Sequence, residues 1–133
     1  MDCVFCSIAA ANDPHHEIVW EDDAHVAFLN ARPAMPHSIL VIPRQHIDYA
    51  FDLDADAFGA LMEASRKLAI PLKDYAKAVR TTLAIDGFHI AHAHVHLIPA
   101  LKSGDMCTPA GTPSPEELRV AGNDLRTLYA DFI

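Results

Sequence analysis

The segment from Phe88 to Ala100, FHIAHAHVHLIPA, places His92, His94 and His96 at alternate positions between apolar residues. Such alternation predicts a β-strand, because successive side chains of a strand point to opposite faces of the sheet. The three imidazoles would then share one face, with neighbours about 6.5–7 Å apart along the strand. Burying three imidazoles is costly unless each finds a partner, so the pattern predicts a site that binds a metal ion or an anion.

The spacing limits how a metal ion could use this run. The outer two histidines of such a strand stand roughly 13 Å apart, whereas the nitrogen ligands of zinc lie about 2.0–2.1 Å from the ion. One ion therefore cannot bind all three, and at least one imidazole must do other work. Phosphoryl chemistry suits that work, because a neutral imidazole is a good nucleophile and an imidazolium donates hydrogen bonds to developing negative charge.

The first half of the chain combines short strands with a long helix. The sequence predicts a short helix in CVFCSIAAAN and strands in EIVWED, HVAFLNARP and HSILVIPR. Beyond Asp54, apolar residues recur every three or four positions, which predicts an amphipathic helix with Asp54 or Asp56 as its N-cap. Pro71 is expected to kink or end this helix.

The second half completes the sheet and adds a last helix. VRTTLAI predicts a strand, Asp86-Gly87 a tight hairpin turn, and the histidine run its partner strand, ended by Pro99. A Pro- and Gly-rich loop follows, and Pro115 suits the first turn of a C-terminal helix. We therefore expect a single α+β domain over residues 1–133, with an antiparallel sheet of about five strands, a long helix and a C-terminal helix.

Composition excludes several classes of partner. The 133 residues carry a formal net charge of −8 without a run of Lys or Arg, which argues against binding nucleic acid or an anionic membrane. The longest apolar stretch is far shorter than the roughly 20 residues that span a bilayer. Three cysteines make no disulfide framework, and the N-terminus resembles no signal peptide. We expect a cytoplasmic protein whose phosphate-binding groups are local donors.

The motif His92-Ala-His94-Val-His96-Leu-Ile resembles that of the histidine-triad (HIT) family. The resemblance extends to CVFCSIAA and to VWEDDAHVAFLNARPAMPHSILVIPRQHI. It implies a HIT-like fold, a homodimer, and a phosphoramidase or phosphoanhydride hydrolase that acts on a purine nucleotide or nucleotide conjugate without an organic cofactor.

The same resemblance implies catalytic roles for three histidines. His94 matches the nucleophile that attacks the α-phosphate and forms a nucleotidyl-histidine intermediate. His96 and His37 match histidines that contact the phosphate. Splitting one displacement into two suits a bound imidazole, because the nucleophile is already positioned.

Nucleoside contacts are implied in the first half of the chain. Asn30 matches the residue that hydrogen-bonds the ribose hydroxyls, and Phe28, with Ile18 or Trp20, would line the slot for the base. Aromatic residues on strands also commonly belong to the core, so the base-slot role of Phe28 and Trp20 has this simpler alternative.

The pair Cys3 and Cys6 fits either a redox pair or half of a zinc site. The resemblance implies that His46 and His92 complete a structural zinc site. His92 would then bind metal, while His94 and His96 remain for the phosphate. The alternative is that both cysteines are small buried side chains.

Two residues depart from the family pattern just before the triad. Phe88 stands where the family commonly has Gln, and His89 stands where it has a hydroxyl residue that contacts phosphate or leaving group. On a regular strand His89 would face away from the triad unless a bulge turned it inward.

Two other functions remain open from the sequence. The histidines could hold a catalytic zinc ion in a metallohydrolase, or the chain could be a nucleotide-binding module that has lost its chemistry. We expect the other histidines, His15, His16 and His25, to lie at the surface, and Cys107 to have no partner.

Overall fold

A five-stranded antiparallel sheet forms the centre of the protein in a computed structural model that describes residues 3–107 and 111–132. The strands are β1 (Ile18–Glu21), β2 (His25–Leu29), β3 (Ile39–Pro43), β4 (Arg80–Ala84) and β5 (Val95–Ala100). Their order across the sheet is β1-β2-β3-β5-β4, and every neighbouring pair is antiparallel. The helices are α1 (Val4–Ala9), α2 (Ala55–Tyr75) and α3 (Pro115–Leu128). The predicted α+β fold class is confirmed.

Both long helices begin at side-chain caps that the sequence encodes. The carboxylate of Asp54 accepts a hydrogen bond from the backbone N–H of Ala57 at 2.8 Å, so Asp54 rather than Asp56 is the N-cap of α2. Ser114 and Glu117 form a capping box at the start of α3, and Pro115 occupies its first turn as predicted.

Pro71 does not end α2, contrary to one of the two outcomes expected from the sequence. The helix continues through Pro71 to Tyr75. Leu68 and Leu72, one on each side of Pro71, are fully buried in the core. Tertiary packing of this apolar face therefore outweighs the local cost of proline.

The histidine run differs most from its prediction. β5 begins only at Val95, so His92 and His94 precede the strand, and residues 85–94 join β4 to β5 in place of a tight hairpin. β5 also continues through Pro99, which pairs with β4. A proline is tolerated there because β3 pairs with β5 only as far as Leu97.

The sheet has a separate core on each face. The helix-side core lies between the sheet and α2 and α3, and includes Leu61, Leu68, Leu72, Leu125 and Tyr129. The α1-side core lies on the other face and consists of Phe5, Ile8, Val26, Phe28, Leu40 and Ile42. Within the described residues, no helix has the length and apolar character needed to cross a membrane.

Candidate functional site

A cavity of about 550 Å³ opens on the α1 side of the sheet. Its walls come from α1, the ends of β2 and β5, and the segment 85–94 that joins β4 to β5. The lining residues are Val4, Phe5, His16, Phe28, Asn30, Ala31, Arg32, Leu40, Asp86, Gly87, Phe88, His89, Ile90, His94 and His96. The cavity thus contains two of the three triad histidines, together with an aromatic floor.

The backbone carbonyl of His92 fixes the ring of His94. Nδ1 of His94 lies 2.7 Å from this carbonyl oxygen, so Nδ1–H is the donor of that hydrogen bond. The ring is almost fully buried and packs edge-to-face on Phe5, with centroids 5.2 Å apart. Nε2 is then the nitrogen that keeps its lone pair, which is the state that a nucleophile requires.

His96 lies beside His94 in the same cavity. The two ring centroids are 5.0 Å apart, and the rings are inclined by 71°. Burial lowers the pKa of His96, the proximity of His94 lowers it further, and Asp86 acts in the opposite direction. A neutral imidazole next to the nucleophile can still donate one N–H to a phosphate oxygen.

His92 points away from this pair and joins a cluster with Cys3, Cys6 and His46. The possible ligand atoms of these four residues all lie within 4.8 Å of one another. Nδ1 of His92 lies 3.5 Å from Sγ of Cys3 and 3.5 Å from Sγ of Cys6, and Nδ1 of His46 lies 3.3 Å from Sγ of Cys6. The turn before β5 therefore separates His92 from the other two triad histidines, which a regular strand would not do.

The geometry of this cluster fits a tetrahedral metal ion. Zinc–sulfur and zinc–nitrogen distances of about 2.3 and 2.0–2.1 Å place tetrahedral S and N ligands about 3.6 Å apart. The observed separations of 3.3–3.5 Å are close to this value. Nε2–H of His92 donates to the carbonyl oxygen of Pro43 at 2.8 Å, which leaves Nδ1 free to bind a metal.

The thiols of the cluster also favour a cation. Burial raises the pKa of the Cys6 thiol, and the neighbouring Cys3 raises it further. Two adjacent thiolates are therefore unfavourable without a positive charge between them. A bound divalent cation would remove that penalty, as it does for thiolate ligands generally.

The residues predicted to contact the nucleoside are only partly brought together. Phe28, Asn30 and His89 line the cavity, and Ile18 packs against the α1-side core beneath it. Trp20 lies on the other face, in the helix-side core, where its Nε1–H donates to the carbonyl oxygen of Phe132 at 3.1 Å.

A β-bulge explains the position of Trp20. The pairing of β1 with β2 shifts between Ile18, opposite Phe28, and Trp20, opposite Ala27. This irregularity breaks the alternation, so Ile18 and Trp20 face opposite sides of the sheet. The sequence-based expectation that either could line one slot assumed a regular strand.

His37 also lies on the helix side, away from His94 and His96. It lines a separate cavity with Leu29, Leu118 and other residues, and its ring packs edge-to-face on Tyr75 at 5.1 Å. Its backbone has a φ of 69°, an uncommon conformation for a residue other than glycine, which no sequence pattern indicated. The structure does not bring His37 to the triad cavity.

Several cavity residues were not identified from the sequence. His16, expected at the surface, lines the cavity, as do Arg32 and Asp86. The available signal was the position of His16 two residues before Ile18, which places both on the same face of an extended segment. The predicted surface position of His25 was wrong, since this residue is buried. Its burial is possible because the Asp22 carboxylate accepts a hydrogen bond from the ring.

One other minor prediction is confirmed: His15 is exposed. Cys107 is also exposed, and it forms no disulfide among the described residues.

Comparisons with known proteins identify the family. The family model described as HIT domain matches residues 12–103. An uncharacterised HIT-like protein of Saccharolobus solfataricus is 35% identical over 102 residues, covering 73% of each chain. An adenosine 5'-monophosphoramidase of Danio rerio is 34% identical over 105 residues, which cover 72% of this chain and 63% of that protein.

Solved structures agree with this assignment. A hypothetical histidine triad nucleotide-binding protein of Sulfolobus tokodaii superimposes with a TM-score of 0.84 at 26% identity, covering 97% of this chain and 93% of that chain. A zinc-bound histidine triad family protein of Mycobacterium smegmatis gives a TM-score of 0.81 at 23% identity, covering 98% and 94%; this second likeness concerns the fold. With the triad and the fold in agreement, the chain belongs to the HIT domain family.

Proposed function

We propose that this protein cleaves a phosphoramidate or phosphoanhydride bond at the α-phosphate of a purine nucleoside monophosphate conjugate, with His94 as the nucleophile. The observation that carries the proposal is the hydrogen bond from Nδ1–H of His94 to the His92 carbonyl, which leaves Nε2 as the nucleophilic atom at the cavity. The Danio rerio relative is named as an adenosine 5'-monophosphoramidase, which supports the same reaction class.

The reaction proceeds in two displacements. The lone pair of Nε2 of His94 attacks phosphorus, and the bond to the leaving group breaks with its electron pair, so the leaving group departs and takes up a proton. The positive charge that develops on the ring is met by the His92 carbonyl oxygen at Nδ1. Water then attacks phosphorus, the N–P bond breaks, a water proton passes to solvent, and the mononucleotide is released.

Local donors hold the phosphate oxygens. The protein has a net charge of −8, so its overall field does not attract an anion. His96 is next to His94, while Arg32 lines the same cavity. These groups are in place before the substrate arrives, and such preorganised donors are the main means of stabilising a phosphoryl transition state.

The nucleoside occupies the aromatic side of the cavity. Phe28 lines the cavity where the base would lie, with Ile18 packed in the same apolar cluster, and Asn30 lines the cavity as the candidate ribose contact. His89 borders the cavity from the segment that precedes the triad, and so is assigned to the phosphate or the leaving group. The roles that the family resemblance implies for His37 and Trp20 stay predictions, since both side chains lie on the helix side.

Cys3, Cys6, His46 and His92 hold a structural zinc ion in this proposal. Zinc would keep both thiolates charged and tie α1 to the segments that carry His46 and His92. Four protein ligands complete a tetrahedral site, which leaves no open position for substrate or water. This closed set favours a structural metal over a catalytic one, and the Mycobacterium smegmatis neighbour, which is described as zinc-bound, supports the choice of zinc.

Homodimer formation is part of the same proposal. Ile70 of α2, Val79, and Leu83 of the edge strand β4 are 56%, 62% and 40% exposed. An exposed apolar group beside an unpaired strand edge is typical of an association surface. Sedimentation velocity over a range of concentrations tests this point independently of catalysis.

The central test compares wild type with His94→Ala and, as a matched surface control, His15→Ala. With an adenosine 5'-phosphoramidate, we expect His94→Ala to lose activity by about 10⁴-fold, because the variant lacks the nucleophilic Nε2 that forms the adduct. Binding of AMP should remain within a few-fold. Rapidly quenched wild-type protein should gain the mass of one adenylyl group on His94, and His15→Ala should behave as wild type.

The same experiment separates the alternatives. Full activity in His94→Ala would remove the proposed mechanism. Tight AMP binding by wild type without turnover or adduct would identify a binding module. A metallohydrolase would instead lose turnover on chelation while staying folded, with activity that follows the metal content of His94 and His96 variants.

A further inference from the structure

A row of aromatic rings crosses the triad cavity from His94 to His16. Phe5 packs on His94 with centroids 5.2 Å apart, Phe28 packs on Phe5 at 5.3 Å, and His16 packs on Phe28 at 5.8 Å with an interplanar angle of 89°. His16 therefore lies at the end of the row away from the triad. It is an imidazole of this cavity for which the two-displacement reaction has no role.

The surroundings of His16 select one tautomer of its ring. Nδ1 is buried and has no aligned hydrogen-bond partner among the described residues, and Oδ1 of Asp13 is the acceptor within reach, at 3.2 Å. The backbone N–H of His15 donates to the same oxygen at 2.9 Å. This bond, with His16 itself, holds the pKa of Asp13 below its usual range, so Asp13 is a carboxylate at neutral pH.

A carboxylate beside Nδ1 favours the tautomer with the proton on Nδ1. Nε2 is then a hydrogen-bond acceptor, and the ring borders the cavity. In this tautomer, an acceptor nitrogen next to an aromatic wall is poorly suited to a phosphate, which offers acceptor oxygens only. It is well suited to a flat heterocycle that carries an N–H group on its edge.

We propose that His16 is a specificity-determining residue that contacts the nucleobase and accepts a hydrogen bond from an amino group on its edge through Nε2. The inference rests on the proposed function, because the phosphate must bind at His94 for the base to extend along the ring row toward Phe28 and His16. It adds a preference for bases that carry an amino group, such as adenine.

The test uses two ligands that differ only by the amino group, AMP and purine riboside 5'-monophosphate. Isothermal titration should show wild type binding AMP about fivefold more tightly, as expected for one hydrogen bond. His16→Ala should bind both ligands with nearly equal affinity. His16→Gln, whose amide oxygen is also an acceptor, should retain part of the preference. His15→Ala, the exposed neighbour, is the matched control and should keep all of it.

Turnover of adenosine 5'-phosphoramidate gives an independent measurement. His16→Ala should raise KM about fivefold and change kcat less than twofold, because the residue contacts the base rather than the reacting atoms. The proposal would be overturned if His16→Ala bound both ligands more weakly by the same factor, or if it kept the preference for AMP. A purely structural role of His16 predicts either outcome. Equal affinity of wild type for the two ligands would overturn the proposal as well.

Failure of this inference is distinguishable from failure of the proposed function. If wild type forms the adenylyl adduct but does not distinguish the two ligands, only the role of His16 is wrong. If wild type binds neither ligand and forms no adduct, the nucleotide function itself fails. Circular dichroism of each variant at matched zinc content establishes that any change in affinity does not come from loss of the fold.

Discussion

The two faces of the sheet use different means to stay packed. The helix side is covered by α2 and α3, which span Ala55–Tyr75 and Pro115–Leu128, and its core is largely aliphatic with several fully buried leucines. The α1 side is covered by the six-residue helix α1 and the segment 85–94, and it contains aromatic rings, imidazoles and the cavity. One sheet thus carries stability on one face and the candidate chemistry on the other.

A sheet face that is covered only by a short helix needs a further source of stability. A helix of six residues has little stability of its own, because helix nucleation is costly and is repaid only over several turns. α1 nevertheless holds Phe5 and Ile8 in the core, and Phe5 supports the ring of His94. The Cys3–Cys6–His46–His92 cluster attaches this helix to two distant segments. The zinc ion proposed for this cluster would therefore substitute on this face for the apolar area that α2 and α3 supply on the other.

The largest expected effect is the loss of zinc. Cys6→Ser removes one ligand of the proposed zinc ion. With free zinc at about 1,000-fold above the zinc dissociation constant of wild type, we expect the free energy of unfolding of wild type to exceed that of the variant by about 4 kcal/mol. Hydrogen exchange should show loss of protection in α1 while α2 keeps its protection. Chemical unfolding with and without added zinc measures the free energy, and Cys107→Ser, an exposed cysteine outside the cluster, is the control. Protection of α1 without zinc would contradict the comparison of the two faces.

A slightly smaller effect is expected from truncation on the helix side. Leu68 is fully buried, so Leu68→Ala should lower the free energy of unfolding by about 3 kcal/mol through lost burial and a cavity. Zinc content and AMP affinity should not change, because the leucine packs on the opposite face from the cluster and the triad cavity. Asp74→Ala, a position of the same helix whose side chain is 82% exposed and lies outside the proposed association surface, should change the free energy of unfolding by less than about 0.5 kcal/mol. A large fall in AMP affinity for Leu68→Ala would show that the two faces are coupled.

Sequence patterns predicted the helix side well. The apolar runs of β2 and β3, the period of α2, the N-cap at Asp54 and the first-turn Pro115 each depend on neighbouring residues. Local propensity agrees with the final packing at these positions. The exception is Pro71, where burial of Leu68 and Leu72 maintains a helix that local rules would end. Packing between distant elements is not visible in a local pattern.

The α1 side was predicted less well, for a physical reason. The alternation of the triad indicated a strand, but His92 and His94 lie before β5 in a segment without regular secondary structure. His92 belongs to the cluster there, and His94 lines the cavity. The bulge that separates Ile18 from Trp20 is a backbone irregularity that any residue pattern leaves open, and so is the positive φ of His37 on the helix side. The four cluster residues were predicted through family resemblance, and the structure places them together.

A smaller effect is expected at Gly87, in the segment that borders the cavity. Its φ is +81°, and a Cβ atom there would lie 2.9 Å from Cδ1 of Tyr49. Gly87→Ala should therefore cost about 2 kcal/mol through backbone strain and the contact. It should also raise KM for the phosphoramidate, since Gly87 lines the cavity. Gly104→Ala, at a φ of +93° with open space around the Cβ, is the control for strain alone. Equal costs at the two glycines would show that the Tyr49 contact contributes nothing.

The smallest expected effect concerns the pH dependence contributed by His37 on the helix side. Burial lowers the pKa of His37, and Asp124 acts in the opposite direction. As the pH falls, the unfolded chain therefore binds a proton at His37 at a higher pH, about 6.5, than the folded chain does. The contribution of neutral His37 to stability is present above that pH and is lost as the pH decreases toward the folded pKa. Urea unfolding between pH 7.5 and 5.5, at saturating zinc, should show a shallower loss of stability in His37→Gln than in wild type.

The same variant tests whether His37 belongs to one face alone. Its ring packs on Tyr75, whose pKa is raised to about 12 by burial and by the hydrogen bond to Asp124. Tyr75 thus stays protonated over this range and does not contribute to the pH dependence. Because this cluster lies away from His94, we expect turnover at pH 7.5 to fall less than tenfold in His37→Gln. A fall of several orders of magnitude, with AMP still bound, would place His37 with His94 in the reaction and end the division of the sheet into a stabilising face and a reacting face.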